Sequence, residues 1–89
     1  MQFEWDRNKN EKNILKHGID FRAAARVFDD PRFIVNEDDR HDYGETRYQI
    51  IGAVDPHGVL LVVYTERHEN KIRIISARKA NKKERQLYQ

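Results

Sequence analysis

Arg67, Arg73 and Arg78 fall close together in a segment that reads as strand, turn and strand. A guanidinium fork matches phosphate oxygens bidentately and keeps its charge at any working pH, so such a group suits orienting a phosphodiester and stabilising added negative charge on it. Chemistry of this kind also needs somewhere for a proton to go. Glu66, His68 and His17 are the candidates, histidine because imidazole titrates close to neutral pH and serves both directions of transfer. His17 precedes Gly18, where a helix C-terminus favours its cationic form, and it reads first as a cap-region residue. His41 and His57 lie in turn or loop contexts and receive no role. Strand parity sets a condition on the arginines. Arg73 and Arg78 are five positions apart, so a regular strand sends them to opposite faces unless the chain bends near Ser76. The structural alternative is that the arginines are exposed sheet residues paired with Glu66 and Glu69.

Further residues could hold a polyanion. Lys9, on the polar side of the first helix, and Lys79 and Lys82, near the end of the chain, are candidate phosphate contacts. Tyr64 and Tyr88 offer rings on which an unpaired base could stack, although packing is the commoner use of a tyrosine on a central strand. Glu45 and Arg47 are two apart and read as a structural pair. The charge pattern agrees: residues 66–89 carry eight Arg or Lys against three Glu, whereas residues 20–45 carry four Arg against eight Asp or Glu. The basic last quarter suits a polyanion, and the acidic middle would repel one or dock a basic partner.

Composition closes off other chemistries. The chain has no cysteine, which excludes disulfides, thiolate zinc sites and a Cys nucleophile. Its four histidines fit no HExxH or comparable metal-ligand spacing, there is no GxGxxG or P-loop for a nucleotide cofactor, and Ser76, the only serine, has no histidine at a readable spacing. No metal and no cofactor is therefore expected. No apolar run approaches a membrane span and the start resembles no signal peptide, so a cytoplasmic location is expected.

With 89 residues, 36% of them charged, the chain is expected to fold as a single domain over residues 1–89 with a small core. Phe3 and Trp5 alternate with polar neighbours as in a short strand. Asp6 is an N-cap for a helix from Arg7 to His17, closed by Gly18 and showing Ile14 and Leu15 to the core. Asp20 caps a second helix whose Phe21, Ala24, Ala25 and Phe28 share one face, and Asp29-Asp30-Pro31 ends it. Phe33 to Val35 suggests a strand, and Asn36 to Gly44 a polar loop. Tyr48, Ile50 and Val54 alternate with Arg47, Gln49 and Ile51. The turn at 55–58 then leads into the nearly continuous apolar run Val59–Thr65, which marks a central strand. After a turn at Glu69-Asn70, Lys71–Ala77 places Ile72 and Ile74 opposite Arg73 and Ile75. Asn81 and Glu84 form a capping box for a last helix with Leu87 and Tyr88 turned inward. The fold expected is α+β: an antiparallel sheet of about four strands, two N-terminal helices and a short C-terminal helix.

Taken in order, Phe3-Glu4-Trp5-Asp6, Lys9, Asn13, Lys16-His17-Gly18, Phe21, Ala24, Val27-Phe28-Asp29, Tyr43-Gly44-Glu45, Arg47, Val62-Val63-Tyr64-Thr65, Arg67, Ile72 to Arg78, Ala80 and Glu84 resemble the BrnT toxins of the BrnT/BrnA type II toxin-antitoxin systems from end to end. The resemblance implies a RelE-like fold and a small ribonuclease that blocks translation by cutting RNA. It further implies neutralisation by a BrnA-type antitoxin, and contact with operator DNA only indirectly, through that antitoxin. It leads one to expect a C-terminal helix running beyond Gln89. RNA cleavage without metal uses the ribose 2′-OH as nucleophile, so the protein need only orient the phosphate, move protons and stabilise charge. For that reaction the catalytic candidates are Arg67, Arg73, Arg78, Glu66 and His68, and the RNA contacts are Lys9, Tyr64, Lys79 and Lys82. Two other functions fit the same residues: a noncatalytic nucleic-acid-binding module, for want of a certain proton acceptor, and a protein-interaction domain, prompted by the acidic 36–45 stretch.

Overall fold

The structure, a computed structural model, describes residues 1–39 and 44–89. His41 and Tyr43 lie outside the described residues. Along the chain run β1 (Gln2–Trp5), α1 (Arg7–His17), α2 (Phe21–Ala24), a 3₁₀ segment (Ala25–Asp29), β2 (Ile34–Asp38), β3 (Arg47–Val54), β4 (Gly58–Arg67), β5 (Lys71–Lys79) and α3 (Lys82–Tyr88). The strands form one sheet in the order β1-β5-β4-β3-β2. Its β2 to β5 pairings are antiparallel, and β1 joins the free edge of β5 in parallel. The sheet is thus mixed and five-stranded, which corrects the expectation of about four antiparallel strands. The alternation of Phe3 and Trp5 fixes which face they bury, but nothing local specifies a neighbour nearly seventy residues away.

The ends of α1 follow their local chemistry. The Asp6 carboxylate accepts from the backbone N–H groups of Asn8 and Lys9, which holds its pKa below the ordinary 3.8, and Gly18 takes the left-handed conformation at φ 72°. The face shown to the core is not the expected one. Leu15 is 88% exposed, Ile14 is exposed, and Asn13 is the buried residue of α1. Beyond Trp5, β5 has lost its parallel neighbour, and the Asn13 amide takes that place: Nδ2 donates to the Ala77 carbonyl at 2.9 Å and Oδ1 accepts from the Ala77 N–H at 3.1 Å. A third bond, from Nδ2 to the Ile19 carbonyl, ties the connection to α2 into the same point.

The second helix holds for one turn and then tightens. Phe21, Ala24 and Val27 are fully buried, a three-residue period, while Ala25 and Phe28 are only partly buried. This replaces the four-residue face of the expected helix. Val27 presses on Gly52 of β3, where a Cβ would stand 2.7 Å from its Cγ2, so any larger residue there would push the segment off the sheet. On this face Ile50, Val54, Leu60, Val62, Tyr64, Ile72, Ile74 and Ala77 complete the main core with Phe3, Trp5 and Tyr48 against it. The opposite face holds a smaller cluster of Ile51, Leu61 and Val63, covered in part by Tyr88 of α3.

Two other expectations change. β2 continues through Asp38 where a loop was expected: this edge strand turns Asn36 and Glu37 to water, and Asp38 is buried beside Arg47 of β3. In α3 only Tyr88 turns inward, and Leu87 is 61% exposed. The Asn81/Glu84 capping box forms as expected.

Candidate active site

The face of the sheet opposite α2 and the 3₁₀ segment carries a polar row that crosses all five strands. Register places Glu4 beside Arg73, Arg73 beside Thr65, Thr65 beside Arg47, and Arg47 beside Asp38. The next row toward the β4–β5 turn on that face is Gln2, Lys71 and Arg67. Arg67 and Arg73 are therefore diagonal neighbours on adjacent strands, with Cα atoms about 7–8 Å apart, within reach of one phosphate for side chains of that length. Arg73 Nη1 donates to Glu4 Oε2 at 2.9 Å, Arg47 Nε meets Glu45 Oε2 at 3.3 Å as the sequence spacing suggests, and the Thr65 hydroxyl donates to the Thr46 carbonyl. An open depression of about 270 Å³ at this end is lined by Glu4, Arg67, His68, Glu69 and Lys71. It brings two cations, two carboxylates and an imidazole to one concavity, with Arg73 bonded to its Glu4 wall.

The parity condition on the arginines is met by a bulge. Val63 stands opposite Ser76 whereas Tyr64 stands opposite Ile74, so Ile75 is an extra residue on β5. The insertion restores Arg73 and Arg78 to the same face. They are nevertheless apart: Arg78 sits beside Leu61, two same-face positions along β4 from Thr65 with apolar Val63 and Ile75 intervening. Its guanidinium is held bidentately by Glu84 at 2.7 and 2.8 Å, pinning α3 to the sheet.

The remaining candidates separate by face. His68 lies in the depression with Arg67. Glu66 points to the helix-covered side, where it raises the pKa of the Tyr48 and Tyr64 hydroxyls after burial has done so. Tyr64 itself is 6% exposed, stacked on Tyr48 and edge-on to Phe28, and burial pushes its hydroxyl up to about 12; its ring is part of the core. Tyr88 donates to Asp30, packs under Arg32 and is likewise occupied. Lys79 and Lys82 are exposed around the start of α3.

Lys9 and His17 line a second groove of about 200 Å³, shared with Lys12, Asn13, Lys16, Ile75 and Ser76. It opens between α1 and the bulged edge of β5, on the side of the arginines. A third hollow, formed by Arg26, Asp29, Asp30, Ala53, Val54 and Asp55, carries three carboxylates and does not suit an anion. Among the described residues no group of three His, Asp or Glu is arranged to hold a metal ion, and no helix is long and apolar enough to cross a membrane.

Sequence reasoning passed over Glu4, Lys71, Lys12 and Lys16. Glu4 and Lys71 carried no signal, since the β1–β5 pairing that makes them neighbours is nonlocal. The lysines did: Lys9, Lys12 and Lys16 recur at i, i+3 and i+7, one stripe of a helix.

A family model described as "Ribonuclease toxin, BrnT, of type II toxin-antitoxin system" matches residues 5–84. The crystal structure of the Brucella abortus ribonuclease toxin BrnT is similar in fold, with a TM-score of 0.67 and 23% sequence identity, over 92% of this chain and 99% of that one. No curated protein matches the chain.

Proposed function

This chain belongs to the BrnT family of ribonuclease toxins of type II toxin-antitoxin systems, and we propose that it acts as a metal-independent endoribonuclease whose active site is the depression around Arg67 and Arg73. The observation that carries this reading is the gathering of Arg67, Lys71, His68, Glu4 and Glu69 around one concavity, with Arg73 bonded to Glu4. Arg67, Lys71 and Arg73 grip the scissile phosphate of an RNA strand. The Glu4 carboxylate takes the proton of the ribose 2′-OH as O2′ bonds to phosphorus. His68 gives a proton to the departing O5′ as the P–O5′ bond breaks. The products are a 2′,3′-cyclic phosphate and a 5′-hydroxyl, with no net change in atoms or electrons. The guanidinium groups act where charge builds up, since the phosphorane carries one more negative charge than the phosphodiester.

In this reading the single domain works in the cytoplasm, stops translation by cutting RNA and is neutralised by a BrnA-type antitoxin, which alone contacts operator DNA. Arg78 is a structural anchor of α3, and Tyr64 and Glu66 belong to the packing of the other face. The test is cleavage of RNA by purified protein in EDTA, with the ends of the products identified. Arg67→Ala and Arg73→Ala should each lower kcat/KM by about 10²–10³ while the fold survives, the usual loss on deleting one group aimed at developing charge. Salt-sensitive RNA binding without any product would favour a noncatalytic module instead. Undiminished cleavage by both variants would remove the site assignment.

A further inference from the structure

We propose that the groove between α1 and the bulge of β5 binds the sugar-phosphate backbone of single-stranded RNA beyond the scissile phosphate, through Lys9, Lys12 and Lys16. The inference rests on the reading of the arginine depression as the cleavage site and extends the substrate path away from it. The three lysines form a stripe about 10 Å long along α1, given a rise of about 1.5 Å per residue. None of them has an ion-pair partner among the described residues. The outer side of the same helix, by contrast, carries the Arg7–Glu11 pair and the bare Leu15. The groove walls contain no carboxylate: beyond the lysines they are Asn13, His17, Ile75 and Ser76. An anion entering it meets three cations, and the nearby Asp6 carboxylate, which interacts with Lys9, is already engaged by the backbone N–H groups of Lys9 and Asn8.

The groove is also fixed relative to the depression. Asn13, buried and bonded to both backbone groups of Ala77, docks α1 onto the strand that carries Arg73 and Lys71. Along β5, Lys71 and Ser76 lie about 15 Å apart at roughly 3.3 Å per residue, so the two hollows sit in line on one side of the molecule with Arg73 between them. The make-up of the groove decides what part of the RNA it takes. Three lysines line it and no Phe, Tyr or Trp does, the His17 imidazole being its one ring, so recognition falls mainly to the phosphates and this stretch of the path reads sequence weakly.

The experiment compares the full chain with the variant Lys9→Ala/Lys12→Ala/Lys16→Ala on two RNA substrates, a dinucleotide and a strand of a dozen residues, and on the longer strand with a 2′-deoxy sugar at the cut position. The variant should keep wild-type kcat/KM on the dinucleotide. On the longer RNA its KM should rise at least tenfold with kcat little changed. Binding of the uncleavable strand should lose about two units of slope in log K against log salt, since each single-strand phosphate contact contributes roughly 0.7. A control, Arg22→Ala/Arg26→Ala, removes charge from the other side of the sheet and should leave both quantities alone. Cleavage by the wild type with an unchanged KM and salt slope in the triple variant overturns the inference and leaves the active-site reading standing. If the wild type cuts nothing, that reading falls, and the uncleavable strand still decides the groove by its slope. Loss of antitoxin binding with the slope unchanged assigns the lysines to a protein partner and also overturns it.

Discussion

The two faces of the sheet are built from the same strands and put to opposite uses. On one, Phe21, Ile50, Leu60, Val62 and Ile74 are closed off from water beneath α2 and the 3₁₀ segment. On the other, three buried apolar residues lie under a seven-residue helix, and the rest of the surface is left to Glu4, Arg47, Arg67, Lys71 and Arg73. Because side chains alternate along a strand, one strand can serve both: Leu60, Val62 and Tyr64 face the core while Thr65 and Arg67 reach the open side. A chain with 36% charged residues stays folded by concentrating its burial on a single face. The other is free to hold cations in a row that a core would not tolerate.

The largest expected effect tests that division directly. Phe21 is fully buried, and Phe21→Ala should destabilise the protein by about 3–5 kcal/mol, the usual penalty for a cavity of that size, out of a total of roughly 5–13 kcal/mol for a chain this long. Arg67→Ala, on the open face, should shift stability by less than about 0.5 kcal/mol while abolishing most of the activity. Urea unfolding of the two variants reads the contrast. A comparable loss of stability in Arg67→Ala would mean that the polar rows hold the sheet together and that the faces are not divided as described.

A smaller effect probes the hinge between the faces. Asn13 has neither an apolar role nor a surface one; its amide serves as the missing strand beside Ala77. Asn13→Ala leaves a buried N–H and two carbonyls without that partner and should destabilise by about 1–3 kcal/mol. Its sharper signature is local: the Ala77 amide should exchange with solvent faster than its neighbours on β5, and cleavage of long RNA should weaken as the lysine stripe loses its fixed position. A uniform change along the whole strand would instead point to general destabilisation.

What the sequence made legible divides along similar lines. Features fixed within a few residues were readable: the Asp6 and Asp20 caps, the Gly18 terminus, the turn before Gly58, the Asn81/Glu84 box and the alternation of β3. Those set by distant partners were not. Asn13 looks like one more polar helix residue until β5 runs past it, and Leu15 looks like core until that docking turns it to water. The site was half legible for the same reason. Arg67, Arg73 and His68 are near in sequence and could be gathered, and the need for a bend near Ser76 followed from parity. Glu4 enters only through the parallel pairing of β1, and Arg78 is set apart from the other two arginines by its register beside Leu61 and by the bidentate grip of Glu84.

The smallest effect concerns how α3 stays on the open face. Besides Glu84, its hold depends on Tyr88, whose hydroxyl donates to Asp30, and Asp30 also accepts from the backbone N–H of Ala53 and Arg32. These bonds, the one from Ala53 first, keep the Asp30 carboxyl below its ordinary 3.8, and the bond to Asp30 is the main cause that raises the Tyr88 hydroxyl above 10.0. The signs set a window. Asp30 stabilises the folded state above about pH 3.8, and that contribution is lost as pH falls through its folded value. Tyr88 stabilises it below about pH 10, and that contribution is lost as pH rises through its own. Between those limits the clamp should be insensitive to pH. Both groups are near the surface, so screening keeps the effect small, about 2–4 °C in the thermal midpoint on the acid side. Asp30→Asn should lower the midpoint at neutral pH and flatten the acid limb, and Tyr88→Phe should flatten the alkaline limb while retaining the ring against Ile51 and Leu61. If Asp30→Asn leaves the acid limb unchanged, other carboxylates set it, and α3 is held by the Arg78–Glu84 pair and the packing of the Tyr88 ring.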